Sequence, residues 1–288
     1  MRRASERTQR PAAGPGVRMR AGHAVLFSAA ALACHAPVAA AGPERAPCSK
    51  PVYLTIDTGH MGVAELIADT LDRHGVKATF FLANEATQTV GDRPAGETLD
   101  PHWASFWKRL AAQGHDFGSH TWNHLVWRAD RPDGAFTMQA TAGARRGERQ
   151  RVDATAYCAE LTAPAQRFAA QTGRSMRALF RAPGGKTSPA LLRAAAACGW
   201  QHVGWSDAGF LGDELPSDRY PNDALLRQAL ARIRSGDILM MHLGIWSRQD
   251  PWAPAVLEPL ITGLQARGMC FVTLRAHPVY GRVGDAPK

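Results

Sequence analysis

No two cysteines of this chain are spaced Cys-x-x-Cys, which excludes a zinc knuckle and a dithiol redox centre. No glutamate follows His120, so the spacing His-x-x-x-His at 120–124 is not the His-Glu-x-x-His of zinc proteases. A membrane span needs roughly 20 apolar residues. The apolar run AVLFSAAALACHAPVAAAG, residues 24–42, is cut by His35 and Pro37 before it reaches that length. Positive charge is thin beyond the N-terminus. The net charge of +9 includes +5 from residues 1–41, six arginines against Glu6, which leaves +4 for the rest. No nucleic-acid partner is expected from so weak a footprint. The chain also lacks internal repeats, low-complexity tracts and an obvious domain linker.

What is present starts with a leader. Arginines, then the apolar run, then small residues up to Ala41 read as a signal peptide over 1–41, cleaved at an Ala-x-Ala site. Met19 would give a shorter, more typical n-region, and Cys34 in ALAC is a poor lipoprotein box. The chain is therefore expected to be exported, periplasmic or extracellular, with no transmembrane segment in the mature protein. Four cysteines then remain, Cys48, Cys158, Cys198 and Cys270. Their even number permits disulfides in an oxidising compartment; buried free thiols are the alternative.

Residues 42–288 are long enough for a sizeable core. Strands are expected at 52–57, 77–83, 115–120, 178–183, 201–206, 237–242 and 270–274. Helices are expected near 62–74, 102–113, 153–172, 188–198, 222–234 and 254–267. Apolar strands separated by amphipathic helices imply parallel βα units, hence an α/β fold. Asp57, His120, Arg181, Asp207 and His242 all fall at or just past strand C-termini. A barrel of about seven strands would gather those ends on one rim; an open sheet would focus them at one crevice. Residues 84–101 read as a long polar loop, and 129–152 as an inserted hairpin with a basic tip.

Each candidate residue has a plain alternative. Asp57, ending LTID, also suits a helix cap. His120 and His124 in GSHTWNH could share a metal from one helical turn, or simply pack in the core. Arg181 in FRAPGG could hold a carboxylate by a two-pronged hydrogen bond, and Gly184 and Gly185 could bring a backbone N–H close to a substrate or merely turn the chain. His242 ends the apolar run ILMMH, where a lone histidine is often a satisfied core residue. Trp205, Asp207, Phe210 and Asp213 in GWSDAGFLGDE lie ahead of it, and either aspartate could raise and orient its imidazole.

In order and spacing, LTIDTG, ATFFLA, GHDFGSHTWNH, FRAPGG and ILMMHLG resemble the motifs of the polysaccharide deacetylases, the family 4 carbohydrate esterases built on the NodB homology domain. The resemblance covers roughly residues 50–276. It implies a distorted (β/α) barrel of about seven parallel strands, a divalent metal, most commonly Zn2+, and removal of an N-acetyl or related acyl group from an amino sugar or glycan. His120 and His124 match the metal ligands, Asp57 the general base, Arg181 its holder and His242 the general acid. Asp207 and Asp213 compete to tune His242. Trp205, Phe210 and Trp246 are candidates for the apolar wall.

Two positions depart from the family pattern. Gly184 stands where a Tyr often follows the Pro, and can still offer an oxyanion N–H. Thr58 stands where an Asp usually binds the metal. The third donor is then Asp57, His60 or a water held by Thr58. Water is favoured, because ligation would compromise Asp57 as base. Cys48 and Cys270 each precede a strand, and pair if the first and last barrel strands are neighbours. Two other readings compete with the deacetylase: an inactive carbohydrate-binding member, suggested by Thr58, and a hydrolase of another small C–N amide.

Overall fold

The computed structural model describes residues 48–287. The expected signal peptide, 1–41, lies outside the described residues. No helix among them is long and apolar enough to cross a membrane.

Strand β1 (Pro51–Asp57) is followed by α1 (Ala64–Arg73), β2 (Thr79–Leu82), α2 (Ala104–Ala112) and β3 (Asp116–Ser119). Next come β4 (Leu125–Asp130), β5 (Phe136–Ala140), β6 (Arg149–Val152), α3 (Ala154–Thr172) and β7 (Leu179–Phe180). The chain continues through α4 (Pro189–Ala197), β8 (Gln201–His202), α5 (Asn222–Arg232) and β9 (Ile238–His242). It ends with the single turn α6 (Trp252–Ala255), α7 (Leu257–Ala266) and β10 (Cys270–Phe271). Seven strands form one parallel sheet, in which β1 pairs with β2, β9 and β10, and the path runs on through β3 and β7 to β8. This is the expected α/β barrel.

Both faces of the strands are buried, so apolar residues fill both parities of the pleat. Leu54, Phe80, Phe180 and Leu239 belong to the large core beneath the helices. Their neighbours Tyr53, Phe81, Leu179, Val203 and Ile238 form a separate cluster that fills the barrel. Side chains two apart share a face. Asp57 follows Tyr53 and Thr55, Arg181 follows Leu179, and His242 follows Ile238 and Met240 on that inward face.

Strand 201–206 was expected as one unit, and it divides. Gln201 and His202 pair with β7; the chain then crosses to β9, where Ser206 N–H donates to Ile238 O at 3.0 Å and Met240 N–H to Gly209 O at 2.8 Å. One segment thus closes the barrel by touching two neighbours. Gly209 is required there, because a Cβ would lie 1.9 Å from Ile238 O. The hairpin expected over 129–152 is a three-stranded antiparallel sheet instead, β4–β5–β6, that begins at Leu125. Leu125 and Val126, which open the first strand, are buried and directly follow the histidine motif, ahead of the expected start at 129.

Cys48 and Cys270 are joined, as expected, with Cα atoms 5.9 Å apart. They tie the N-terminal ends of β1 and β10, opposite the mouth where Asp57 and His242 lie. A second bridge, Cys158–Cys198, fastens α3 to the end of α4.

Candidate active site

The centre of the site is set by strand register. Asp57 and His242 are direct partners across β1 and β9, and His120 and Arg181 directly follow β3 and β7. Asp57 is only 2% exposed, and its Oδ1 accepts from Arg181 Nη1 at 2.9 Å. Arg181 is fully buried. Its remaining donors reach Val203 O (3.3 Å) and Gly204 O (3.1 Å), and its guanidinium lies over Phe81. Burial lowers its pKa against the opposing pull of Asp57. The expected two-pronged hydrogen bond is not formed: one donor holds the carboxylate, and the others are taken by backbone carbonyls that fix the guanidinium.

The expected helical turn at 120–124 is not helical. Thr121 and His124 take left-handed backbone angles, φ 60° and 47°, which a non-glycine residue adopts only when its surroundings enforce it. The enforcement is visible: Thr121 Oγ1 accepts from Leu125 N–H at 2.8 Å, and Glu160 of α3 binds Asn123 through both its N–H and its side chain. This brings the two imidazoles to 4.7 Å between centroids.

Their tautomers follow from their partners. His120 Nδ1 faces the carbonyl of Arg181 at 2.8 Å; a carbonyl only accepts, so Nδ1 carries the proton and Nε2 the lone pair. His124 Nδ1 faces Thr141 Oγ1, whose own proton goes to His124 O at 3.0 Å. Nδ1 of His124 must therefore donate too, and Nε2 is the nitrogen free to meet a ligand. Burial, reinforced by His124, pushes His120 well below the usual histidine range and keeps it neutral. Two imidazoles whose Nδ1 atoms are each held by an oxygen present their Nε2 atoms, donors of the kind zinc and its neighbours prefer.

The donor chemistry thus fits a divalent ion, with carboxylates close by: His120 Nε2 is 3.6 Å from Asp57 Oδ2. No group of three or more His, Cys, Asp or Glu side chains is gathered to hold an ion as it stands among the described residues. Thr58 donates its hydroxyl proton to Glu85 Oε2 at 2.5 Å and accepts from Ala83 N–H at 3.1 Å. His60 is not arranged as a ligand. Its Nδ1 accepts from Gly62 N–H at 2.9 Å, which leaves the proton on Nε2. Its ring packs against Trp246 and lines a cavity of about 230 Å³ with His242, Gln88 and Trp252.

Asp213, not Asp207, serves His242. Asp213 Oδ2 accepts from His242 N–H at 2.7 Å, and both its oxygens lie 3.2 Å from Nδ1. Burial opposes the imidazolium, but Asp213, helped by Asp57 and Glu214, outweighs it and raises His242 to about 9. Nε2, the free nitrogen, has Glu214 Oε2 at 3.9 Å. Asp207 is exposed and shares with Phe210 a hollow against α5. The residue type was right for both aspartates; only the path of the chain across β9 separated them.

Gly184, φ 63°, is exposed at the mouth. Trp205 packs on Gly185 and lies 5.6 Å beneath the Arg181 guanidinium. Trp246 is 58% exposed. Gly59 and Gly244 touch at the rim, where a Cβ on Gly59 would lie 2.1 Å from Gly244 O. Glu85 and Glu214 were missed in the sequence. Glu214 stood beside a chosen aspartate, and Glu85 sits in a stretch read only as loop.

A mouth of strand ends that combines a buried Asp–Arg pair, an Asp-tuned histidine and two ligand-ready imidazoles defines a hydrolase-type α/β barrel. The polysaccharide deacetylase family model matches residues 44–203, more than half of the chain, and the chain belongs to that family. It is 30% identical over 194 residues to a chitooligosaccharide deacetylase of Sinorhizobium fredii, covering 67% of this chain and 72% of the relative. It is 24% identical over 208 residues to a peptidoglycan-N-acetylglucosamine deacetylase of Bacillus cereus, covering 72% and 78%. Among solved structures it resembles a cobalt-bound family 4 acetyl xylan esterase of Clostridium thermocellum (TM-score 0.57, 23% identity, 78% and 88% covered). It also resembles a family 4 pseudoenzyme of Bacillus anthracis (TM-score 0.53, 19% identity, 77% and 63% covered).

Proposed function

We propose that this chain is an exported, metal-dependent deacetylase that hydrolyses N-acetyl groups on N-acetylglucosamine-containing glycans. The observation that carries the reading is the direct register pairing of Asp57 with His242, base beside acid, next to the imidazole pair. Binding alone needs no such pair. The substrate class follows from the deacetylase relatives. Export follows from the leader at 1–41, and two disulfides suit an oxidising compartment.

An amide is unreactive, so water must be deprotonated, oxyanion charge stabilised and the amine protonated. Asp57, fixed by Arg181, removes the proton from the attacking water. Gly184 N–H, at the mouth, stabilises the carbonyl oxygen as it gains charge. His242 is protonated at neutral pH, and its Nε2–H protonates the departing nitrogen; Asp213 holds Nδ1 throughout. His120 and His124 would hold a divalent ion that supplies Lewis-acid polarisation and a lower water pKa.

Thr58 favours a second reading, an inactive glycan-binding member, since its hydroxyl is committed to Glu85. Acetate release from N-acetylglucosamine oligomers separates the two. Turnover that is lost in Asp57→Asn and on chelation, then restored by zinc or cobalt, is the expected result. Binding without turnover at any metal loading would establish the second reading. Turnover of small amides alone would move the substrate class away from glycans.

A further inference from the structure

We infer that Glu85 supplies the anionic third donor to the ion held by His120 and His124, an assignment that rests on the metal-dependent reading above. A catalytic zinc site takes three protein ligands, and the imidazole pair provides two neutral ones. Two carboxylates come into question: Asp57, whose Oδ2 is 3.6 Å from His120 Nε2, and Glu85, bonded to Thr58, the residue next to Asp57. Asp57 is already neutralised: Arg181, with no exposed surface, holds its Oδ1 at 2.9 Å. A charge so paired has less to offer a cation.

Glu85 differs. Among the described residues it forms no ion pair, and its side chain is bound only by the neutral hydroxyl of Thr58. Its backbone is fixed on both sides by buried Thr98, which accepts from Glu85 N–H at 3.1 Å and donates to Glu85 O at 2.9 Å. The half-buried carboxylate is thus presented at the end of β2, the strand that lies between β1 and β3. Thr58 is then a positioning residue. Its hydroxyl accepts from Ala83 N–H and donates to Oε2, which fixes the carboxylate against the residue that follows Asp57. Two imidazoles and one carboxylate would leave a divalent ion with a single net positive charge.

The test is zinc affinity of the metal-stripped full chain, read by competition with a chromogenic chelator, together with the visible spectrum of the cobalt-loaded protein. Glu85→Gln should weaken zinc at least ~10-fold, the loss seen even when only an outer partner of a ligand is removed, and should change the cobalt bands. Glu85→Asp, which keeps the charge and retracts it, should fall between. Asp57→Asn should change affinity by less than about three-fold. Circular dichroism of the stripped variants checks folding, and the milder Glu85→Asp carries the test if Glu85→Gln does not fold. Wild-type affinity in both Glu85 variants, with loss in His120→Ala, overturns the assignment and leaves the metal reading intact. Loss in Asp57→Asn but not in the Glu85 variants assigns the third donor to Asp57 and overturns it too. No zinc uptake by the wild type would overturn both.

Discussion

Replacing Asp213 with asparagine should move the alkaline limit of catalysis. His242 is buried, which alone would lower its pKa, yet it is raised to about 9 because the carboxylates outweigh burial. Against an ordinary value of 6.5 the difference amounts to about 3 kcal/mol in favour of the imidazolium. Asp213 is the largest favourable contributor and touches both the ring and the backbone N–H of His242. Asparagine keeps the shape and removes the charge. The pKa should then fall to near or below the ordinary histidine value, a drop of roughly two units or more. In the wild type His242 is almost wholly protonated at pH 7.5; in Asp213→Asn about a tenth would be, so kcat/KM should drop roughly ten-fold there. Most of the loss should return on lowering the pH to 6. The same shift sets a stability window. A raised folded-state pKa contributes stability that is complete below about 6.5 and disappears as pH rises through about 9. Wild-type thermal stability should decline across that interval, and the variant's should decline less. The assay is acetate release from N-acetylglucosamine oligomers from pH 5 to 10. An alkaline limb that stays at the wild-type position in Asp213→Asn would refute the assignment of His242 as the acid tuned by Asp213.

Other perturbations follow from the same geometry. Arg181→Met should destabilise the fold by about 3–5 kcal/mol, since it leaves the Asp57 charge buried without its partner; urea unfolding reads this directly, and a change under 1 kcal/mol would show that the pair does not act as a unit. Gly209→Ala places a Cβ 1.9 Å from Ile238 O, so the barrel closure must shift; a clear fall in Tm is expected, and an unchanged Tm would contradict the close approach. Cys158→Ser with Cys198→Ser opens a bridge 40 residues apart in sequence, for a loss of about 2–4 kcal/mol by denaturant titration. Absence of any loss, or wild-type stability in reducing buffer, would contradict a structural role for that bridge.

The sequence by itself determined most of the barrel. Apolar strands such as ILMMH and VYLTI are buried on both faces, so their type and place are set by composition alone, and the helices between them by amphipathic spacing. It also determined which residues stand at the mouth, because a strand's last residue has a fixed parity: Tyr53, Thr55 and Asp57 lie on one side of the pleat whatever surrounds them. Register, turn geometry and long-range pairing were beyond its reach. Whether Asp207 or Asp213 meets His242 depended on how many residues the chain spends crossing to β9, a matter of barrel closure. The His120–His124 turn is held in left-handed angles by Glu160 on a distant helix, so no local propensity announces it. Glu85 reaches Thr58 across 27 positions because β1 and β2 lie side by side and end together. A side chain's role in such a site is set by what faces it, and in a parallel sheet each facing partner lies a whole crossover away in sequence.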